Sequence, residues 1–177
     1  MVAYLTDQQI DTRALAHRRE LGFRDDQFID GMTLITKLKT RYPEFNYSRV
    51  PDAEWTGIDD AKWDSGKKCI YIRESVFCEV NADGPRARMT LLHEVAHALL
   101  GHKGILSRAP VGNLAEKYSA DVKRMEYQAK RYAAAFLMPD LPQNRLLGSL
   151  QLSEKYHTSG QAASIRVANF AESRSRR

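Results

Sequence analysis

Apolar residues recur every three or four positions over much of the chain, the spacing that predicts amphipathic helices. One helix is predicted over residues 11–24 and a second over residues 26–40. A third begins at residue 114 or 119 and ends at Met138, because the proline that follows cannot continue a helix. The pattern therefore predicts a mainly helical protein.

The pattern changes between residues 42 and 80, where proline and glycine separate short segments rich in aromatic and β-branched residues. These segments are 45–50, 55–58 and 69–80. The strongest predicted strand is Cys69–Arg73, and the residues 64–67 before it predict a hairpin turn. A small antiparallel sheet is the expected result, and the predicted fold class is α+β.

One predicted helix, which starts near Thr90, is almost continuously apolar and must therefore be buried nearly all round. Thr90 is placed to cap its first turn, and Gly101 is placed to end it. Its polar members are His93, Glu94 and His97. Because an unpaired buried polar group costs roughly 2–7 kcal/mol, these three side chains need partners.

His93, Glu94 and His97 form the motif H-E-x-x-H. Four residues of helix turn through about 400° and rise about 6 Å, so the two imidazoles project from one face and can ligate one zinc ion. Glu94 lies about 100° round the helix from His93, too far aside to share the metal but close enough to accept a proton from a zinc-bound water. The motif therefore predicts hydrolysis with Glu94 as the catalytic acid/base.

A zinc site with two histidines and one glutamate takes its third ligand from a later helix and keeps a fourth position open for water. The apolar stripe of the third long helix includes Ala129 and Ala133, and Glu126 occupies a position where this stripe calls for an apolar side chain. We therefore predict His93, His97 and Glu126 as the metal ligands, with Zn²⁺ as the metal.

Other candidates for the third ligand fit less well. The pattern H-E-x-x-H-x-x-G-x-x-H needs glycine and histidine where the chain has Leu100 and Lys103. His102 lies beyond the predicted end of the helix, and we interpret it as a neighbour of the ligands or a surface residue. Glu116 and Asp121 lie near the start of the third helix and are interpreted as capping or exposed residues.

Composition narrows the class of protein. The 177 residues are 43% hydrophobic and 28% charged, which predicts one compact domain with a small appendage. The two cysteines match no metal-binding pattern, the amino end lacks the apolar run of a signal peptide, and no segment is long enough to span a bilayer. We expect a cytoplasmic protein that does not contact membranes. The net charge of +5 is weak evidence for nucleic acid as a partner.

Two blocks of sequence resemble the ImmA/IrrE family of zinc metallopeptidases. Residues 86–97, R-A-R-M-T-L-L-H-E-V-A-H, are similar to the family pattern R-F-T-x-A-H-E-x-x-H. Residues 126–139, E-Y-Q-A-K-R-Y-A-A-A-F-L-M-P, are similar to E-x-x-A-x-x-F-A-x-x-L-L-M-P. The resemblance implies a zincin-like peptidase core with the same three zinc ligands and the same catalytic glutamate.

The resemblance also implies a biological role. Members of the family cleave or inactivate helix-turn-helix repressors, which switches on genes for the excision of a mobile element or for a stress response. The expected partner is therefore a helix-turn-helix repressor as substrate, and the expected origin is a bacterium, a phage or a mobile element.

The carboxyl end also matches the family, in which a small helix-turn-helix-like unit follows the peptidase core. One short helix is predicted over residues 150–157 and a second over 161–170, joined by a tight turn. We therefore divide the chain into a core, residues 1–140, and a C-terminal unit, residues 141–177.

The C-terminal unit has two possible roles. Gln161 and Arg166 could contact bases, so the unit could bind DNA. The same layout serves as a packing or partner-docking element, which is the favoured interpretation.

The main hypothesis is an intracellular zinc endopeptidase that acts on a repressor. Such an enzyme needs a hydrogen-bond donor that stabilises the oxyanion, and four residues are candidates: Tyr127, Arg131, Tyr132 and His157. One alternative is a regulator that binds DNA or a repressor through the C-terminal unit and keeps zinc only as a structural staple. Another is the toxin of an addiction pair, with its active site held closed by a partner. The sequence does not indicate an oligomeric state.

Overall fold

The computed structural model describes residues 4–107 and 120–175. Within these ranges the helices are α1 (Asp7–Glu20), α2 (Gly31–Arg41), α3 (Glu74–Asn81), α4 (Pro85–Leu99), α5 (Ala120–Leu137), α6 (Ser149–Tyr156) and α7 (Gly160–Ser175). The strands are β1 (Asn46–Val50), β2 (Ala61–Asp64), β3 (Cys69–Arg73) and β4 (Ile105–Ser107). Helices dominate and the strands form one small sheet, so the predicted α+β class is confirmed.

Side-chain caps fix the starts of the first two helices. Thr6 and Gln9 form a reciprocal capping box at the start of α1. The Asp30 carboxylate accepts a hydrogen bond of 2.5 Å from the backbone amide of Thr33 at the start of α2. As a result α1 begins at residue 7 rather than 11, and α2 begins at residue 31 rather than 26.

The four strands lie in the order β1-β3-β2-β4. The turn between β2 and β3 is the predicted hairpin, since Asp64 Oδ1 accepts hydrogen bonds from the amides of Gly66 (2.9 Å) and Lys67 (3.1 Å). β2 is antiparallel to β3 and β4, whereas β1 is parallel to β3. The sheet is thus mixed. The prediction of a wholly antiparallel sheet is wrong for the β1–β3 pair, because the chain crosses to the far side of β3 before it forms β2.

Two segments that were predicted as strands have other structures. Residues 74–80 belong to α3 instead of extending β3, and the buried Val76 and Val80 have helical spacing. Residues 55–58 follow a short 3₁₀ turn, Asp52–Glu54, and form no strand. The strand in this part of the chain is β2, three residues further on.

α4 packs against β2 and β3 and also against α3 and α5. The helix begins at Pro85, which takes the first helical position, so Thr90 lies in its second turn and does not cap it. The residues from Thr90 to His97 are all buried. The segment of the helix that carries the H-E-x-x-H motif is therefore covered on all sides, as its apolar sequence predicts.

The C-terminal helices α6 and α7 form where they were predicted, and they are tied to the rest of the fold by charged groups. Arg166 on α7 is completely buried. It donates to the Met138 carbonyl (2.8 Å) and to the carboxylate of Asp11 on α1 (2.9 Å). The same carboxylate accepts two hydrogen bonds of 3.1 Å from Arg131 on α5. Asp11 therefore joins α1, α5 and α7.

No helix within the described residues has both the length and the apolar character that crossing a membrane requires.

Candidate metal centre

Two packed helices bring three ligand-type side chains together. His93 and His97 lie one turn apart on α4, and Glu126 lies on α5. The Nε2 atoms of the two histidines are 3.1 Å apart. One Glu126 oxygen is 3.2 Å from Nε2 of His93, and the other is 3.2 Å from Nε2 of His97. The structure therefore places together the three residues that the sequence predicted as ligands.

The three side chains fit a metal ion. Ligand atoms bound at about 2.0–2.1 Å to a tetrahedral zinc ion stand about 3.3 Å apart, close to the separations observed here. Among the described residues, no group gives either Glu126 oxygen a hydrogen bond of regular geometry. A buried carboxylate that faces two imidazoles in this way is short of a positively charged partner. Within the described part of the chain, these side chains form the one cluster of three such ligand groups.

Burial sets the protonation states of this cluster. Burial lowers the pKa of His97 and lowers that of His102 to about 4, so both rings are neutral near pH 7. Burial by itself would raise the pKa of Glu126, but opposing effects, of which the hydrogen-bonding interaction with the adjacent His93 is the largest, hold that pKa well below its usual range. Neutral imidazole and charged carboxylate are the forms that bind metal ions.

Glu94 follows His93 on α4, and its side chain is completely buried. It is not one of the three converging groups, as its angular offset on the helix predicts. A buried carboxylate one residue from a candidate ligand is suited to taking up and returning a proton. The geometry is therefore compatible with the predicted acid/base role.

His102 lies directly behind His97. Its side chain is buried, with Nδ1 at 2.8 Å from Nδ1 of His97 and Nε2 at 2.9 Å from Oε1 of Gln128. The sequence left two interpretations of His102 open. The interpretation as a neighbour of the ligands is correct, and the interpretation as a surface residue is wrong. Sequence reasoning missed Gln128, and the one signal for it was a polar residue two positions after Glu126 on the predicted helix.

Each of the four candidate oxyanion donors is held by another residue: Tyr127 by Asp7, Arg131 by Asp7 and Asp11, Tyr132 by His17, and His157 by Phe28. The first three contacts join α5 to α1. For the two tyrosines and Arg131, hydrogen bonds to substrate would have to replace or share these partners, whereas His157 contacts Phe28 through its ring face. The structure therefore singles out none of the four.

The structure treats the remaining candidate ligands and DNA-contacting residues differently. Asp121 pairs with Arg124 at 3.3 Å on the partly exposed side of α5, which agrees with its interpretation as an exposed residue. Glu116 lies outside the described residues. Gln161 is exposed, but Arg166 is completely buried and is therefore not available to contact DNA bases.

Comparisons with known proteins place this geometry in context. The family model described as the IrrE N-terminal-like domain, Peptidase M78, matches residues 50–167. Among solved structures, the chain is similar to a Mycobacterium tuberculosis transcriptional regulator, with a TM-score of 0.55 and 12% sequence identity. The match covers 92% of this chain and 56% of that one, so this chain spans little more than half of the regulator. At this identity the likeness concerns the fold alone. No curated protein matches the chain.

Proposed function

We propose that this chain, which belongs to the Peptidase M78 family of IrrE N-terminal-like domains, is a zinc-dependent endopeptidase. One observation carries the proposal. His93, His97 and Glu126 converge from two helices, and Glu94 is buried beside them on the same helix as the histidines. Two histidines and one glutamate are the ligand set of catalytic rather than structural zinc sites, because they leave a coordination position open.

The proposed roles follow from the chemistry of the side chains. His93, His97 and Glu126 would hold the metal, and a zinc ion supplies Lewis-acid polarisation of the peptide carbonyl and makes water more acidic. Glu94 would accept the proton of the attacking water and then pass it to the departing nitrogen. Burial keeps bulk water away from this carboxylate, which strengthens its interaction with the proton that it transfers.

The proposed substrate is a helix-turn-helix repressor, and cleavage or inactivation of it would relieve repression of a mobile element or a stress regulon. Support comes from the resemblance of residues 86–97 and 126–139 to the ImmA/IrrE family. A cytoplasmic location is proposed with it, since repressors act there. Cys69 and Cys78 are both free, which agrees with a reducing compartment.

We keep the division into a core, residues 1–140, and a C-terminal unit, residues 141–177, as a proposal. The contacts of the unit favour packing over DNA readout. Arg166 is directed into the fold, and Arg88 on α4 donates hydrogen bonds to the carbonyls of Tyr156 and His157 at the end of α6.

The catalytic proposal is tested by Glu94→Gln. The zinc-loaded protein and the variant are incubated with a helix-turn-helix repressor encoded beside its gene, and cleavage is followed by electrophoresis and mass spectrometry. We expect the variant to bind zinc as wild type does and to lose at least about 100-fold in cleavage rate, because an amide cannot accept the proton.

Glu154→Gln is the matched control, since it replaces the same carboxylate by the same amide at an exposed position on α6. It should cleave at the wild-type rate. Equal cleavage by Glu94→Gln would remove the acid/base role. No cleavage by wild type, together with a gel shift of operator DNA that survives Glu94→Gln, would favour the alternative of a binding regulator.

A further inference from the structure

We infer that His102 and Gln128 form a hydrogen-bonded relay that fixes the ring of His97 in the tautomer whose bare Nε2 faces Glu126 and His93. The relay positions the metal ligand His97, and the inference rests on the proposed function. It assigns roles to two residues that the H-E-x-x-H motif does not include.

The backbone brings His102 back under the helix that it has just left. Gly101 has a φ of +69°, the left-handed conformation that ends helices. Among the described residues, no atom other than those of its chain neighbours and its own helix backbone lies within 4 Å of the Cβ position that it lacks. The His102 amide donates to the His97 carbonyl (3.0 Å), and the Gly101 amide donates to the Ala98 carbonyl (3.1 Å). This is the hydrogen-bond pattern of a Schellman motif. The indole of Trp63 donates to the His102 carbonyl (3.4 Å) from the sheet side.

The direction of the relay follows from donor and acceptor chemistry. Gln128 Oε1 can only accept a hydrogen bond, so Nε2 of His102 carries the proton and donates. A neutral imidazole has one N–H, which leaves Nδ1 of His102 as an acceptor. The Nδ1 of His97, 2.8 Å away, must then be the donor. The Nε2 of His97 is therefore left without a proton and free to bind a metal.

The reverse arrangement would oppose metal binding. If Gln128 turned its amide nitrogen to His102, the relay would run the other way and Nδ1 of His97 would become an acceptor. The proton of His97 would then sit on Nε2, which faces Glu126 at 3.2 Å and His93 at 3.1 Å. A protonated nitrogen cannot ligate a metal. The orientation of one amide therefore decides whether His97 is ready to bind.

The relay also joins the two helices that supply ligands. Gln128 lies two residues after Glu126 on α5, and both side chains are buried. α5 thus contributes one ligand directly and supports a second ligand, His97, through His102. A shift of α5 relative to α4 would disturb both contacts together.

The test measures zinc affinity by competition with a chromophoric chelator in four proteins: wild type, Gln128→Leu, Gln128→Glu and His102→Phe. Loss of such supporting hydrogen bonds typically costs 10–100-fold in metal affinity. We expect Gln128→Leu and His102→Phe to bind zinc about 10–100-fold more weakly. Glutamate at position 128 still accepts from His102, so Gln128→Glu should stay within about 3-fold of wild type.

A purely structural role for Gln128 predicts the opposite order of zinc affinities, with Gln128→Leu binding more tightly than Gln128→Glu. Leucine has a similar size and is easily buried, whereas a buried carboxylate is costly. Tighter binding by Gln128→Leu than by Gln128→Glu would overturn the relay. Trp63→Phe is the matched control, because it removes a hydrogen bond to the His102 carbonyl and leaves the relay side chains intact; we expect its affinity to be unchanged.

A second readout needs neither zinc nor activity. Correlation spectra of ¹⁵N-labelled imidazoles in the metal-free protein distinguish the two tautomers, and the chain has five histidines to assign. We expect the proton of His97 on Nδ1 in wild type and in Gln128→Glu, and a mixture of tautomers in Gln128→Leu. A proton on Nε2 of His97 in wild type would contradict the relay.

Glu126→Ala separates the two proposals. If this variant loses zinc and Gln128→Leu does not, the site stands and the relay is wrong. If Glu126→Ala binds zinc as tightly as wild type does, the metal centre itself is wrong and the relay falls with it.

Discussion

At the scale of single residues, three arginines in the described part of the chain are completely buried: Arg18, Arg88 and Arg166. Each directs hydrogen bonds to backbone carbonyls at the ends of other elements, as Arg18 does to Phe136 at the end of α5 (2.5 Å). A guanidinium group has five N–H donors and can bind several carbonyls at once. These side chains therefore satisfy backbone carbonyls at the buried ends of helices, where the next residue of the helix no longer does so.

Arg166→Ala is expected to lower the free energy of unfolding by about 3–5 kcal/mol, because it removes a completely buried guanidinium that binds both the Asp11 carboxylate and the Met138 carbonyl. Urea denaturation of the metal-free protein measures the change. Ser164→Ala, at an exposed position of the same helix, should change the value by less than about 0.5 kcal/mol. Similar values for both variants would mean that the buried pair adds nothing to stability.

At the scale of secondary-structure elements, capping decides where the helices start. The turn before α2 is closed by the Asp30 carboxylate, whereas α4 starts at Gly84-Pro85 without a side-chain cap. Burial raises the pKa of Asp30, and hydrogen bonds, those from Thr33 being the largest, together more than compensate, so the net pKa lies below its usual value. The cap is thus coupled to pH.

Asp30→Ala is expected to destabilise the protein by about 1 kcal/mol at pH 7, whereas Asp30→Asn, which can still accept the bond, should cost less. Because the folded-state pKa of Asp30 is lowered, its charge stabilises the fold above the unfolded-state pKa near 4, and this contribution is lost as the pH falls through the folded-state pKa. The difference between wild type and Asp30→Asn should therefore shrink in acid. Unfolding titrations at pH 7 and pH 3 measure it, and a constant difference would contradict the coupling.

At the scale of the whole molecule, the candidate metal centre and the fold depend on each other. The proposed ligands come from α4 and α5, which pack together and also contact the sheet and α1. An ion that binds the folded chain at both helices, and not the unfolded chain, must stabilise the whole structure.

Zinc at about 100 times its dissociation constant should add about 2.7 kcal/mol to the free energy of unfolding and raise the melting temperature, and a chelator should reverse the change. Glu126→Ala should lose this zinc-dependent increase, and Glu154→Ala, at an exposed site, should keep it. Calorimetry with and without zinc measures both. An equal increase in Glu126→Ala would show that zinc binds elsewhere.

The family resemblance found in two sequence blocks is confirmed by the match of the Peptidase M78 model to residues 50–167. The α+β class and the helices of the C-terminal unit are also confirmed. The errors lie where local pattern is ambiguous. Residues 74–80 carry apolar residues that suit a strand or a helix, and the packing of α3 on α4 selects the helix.

Sequence alone determined those features of the site that depend on residues close together along one helix. His93 and His97 share a face because the helix repeat fixes positions four residues apart, and Glu126 stands out because it interrupts an apolar stripe. Tertiary structure alone decided which elements meet. It brought Glu126 to the histidines, His102 to Gln128, and Arg166 to a carboxylate 155 residues earlier. The reason is physical: periodicity constrains only local geometry, whereas contacts between distant residues depend on how the whole chain buries its apolar surface.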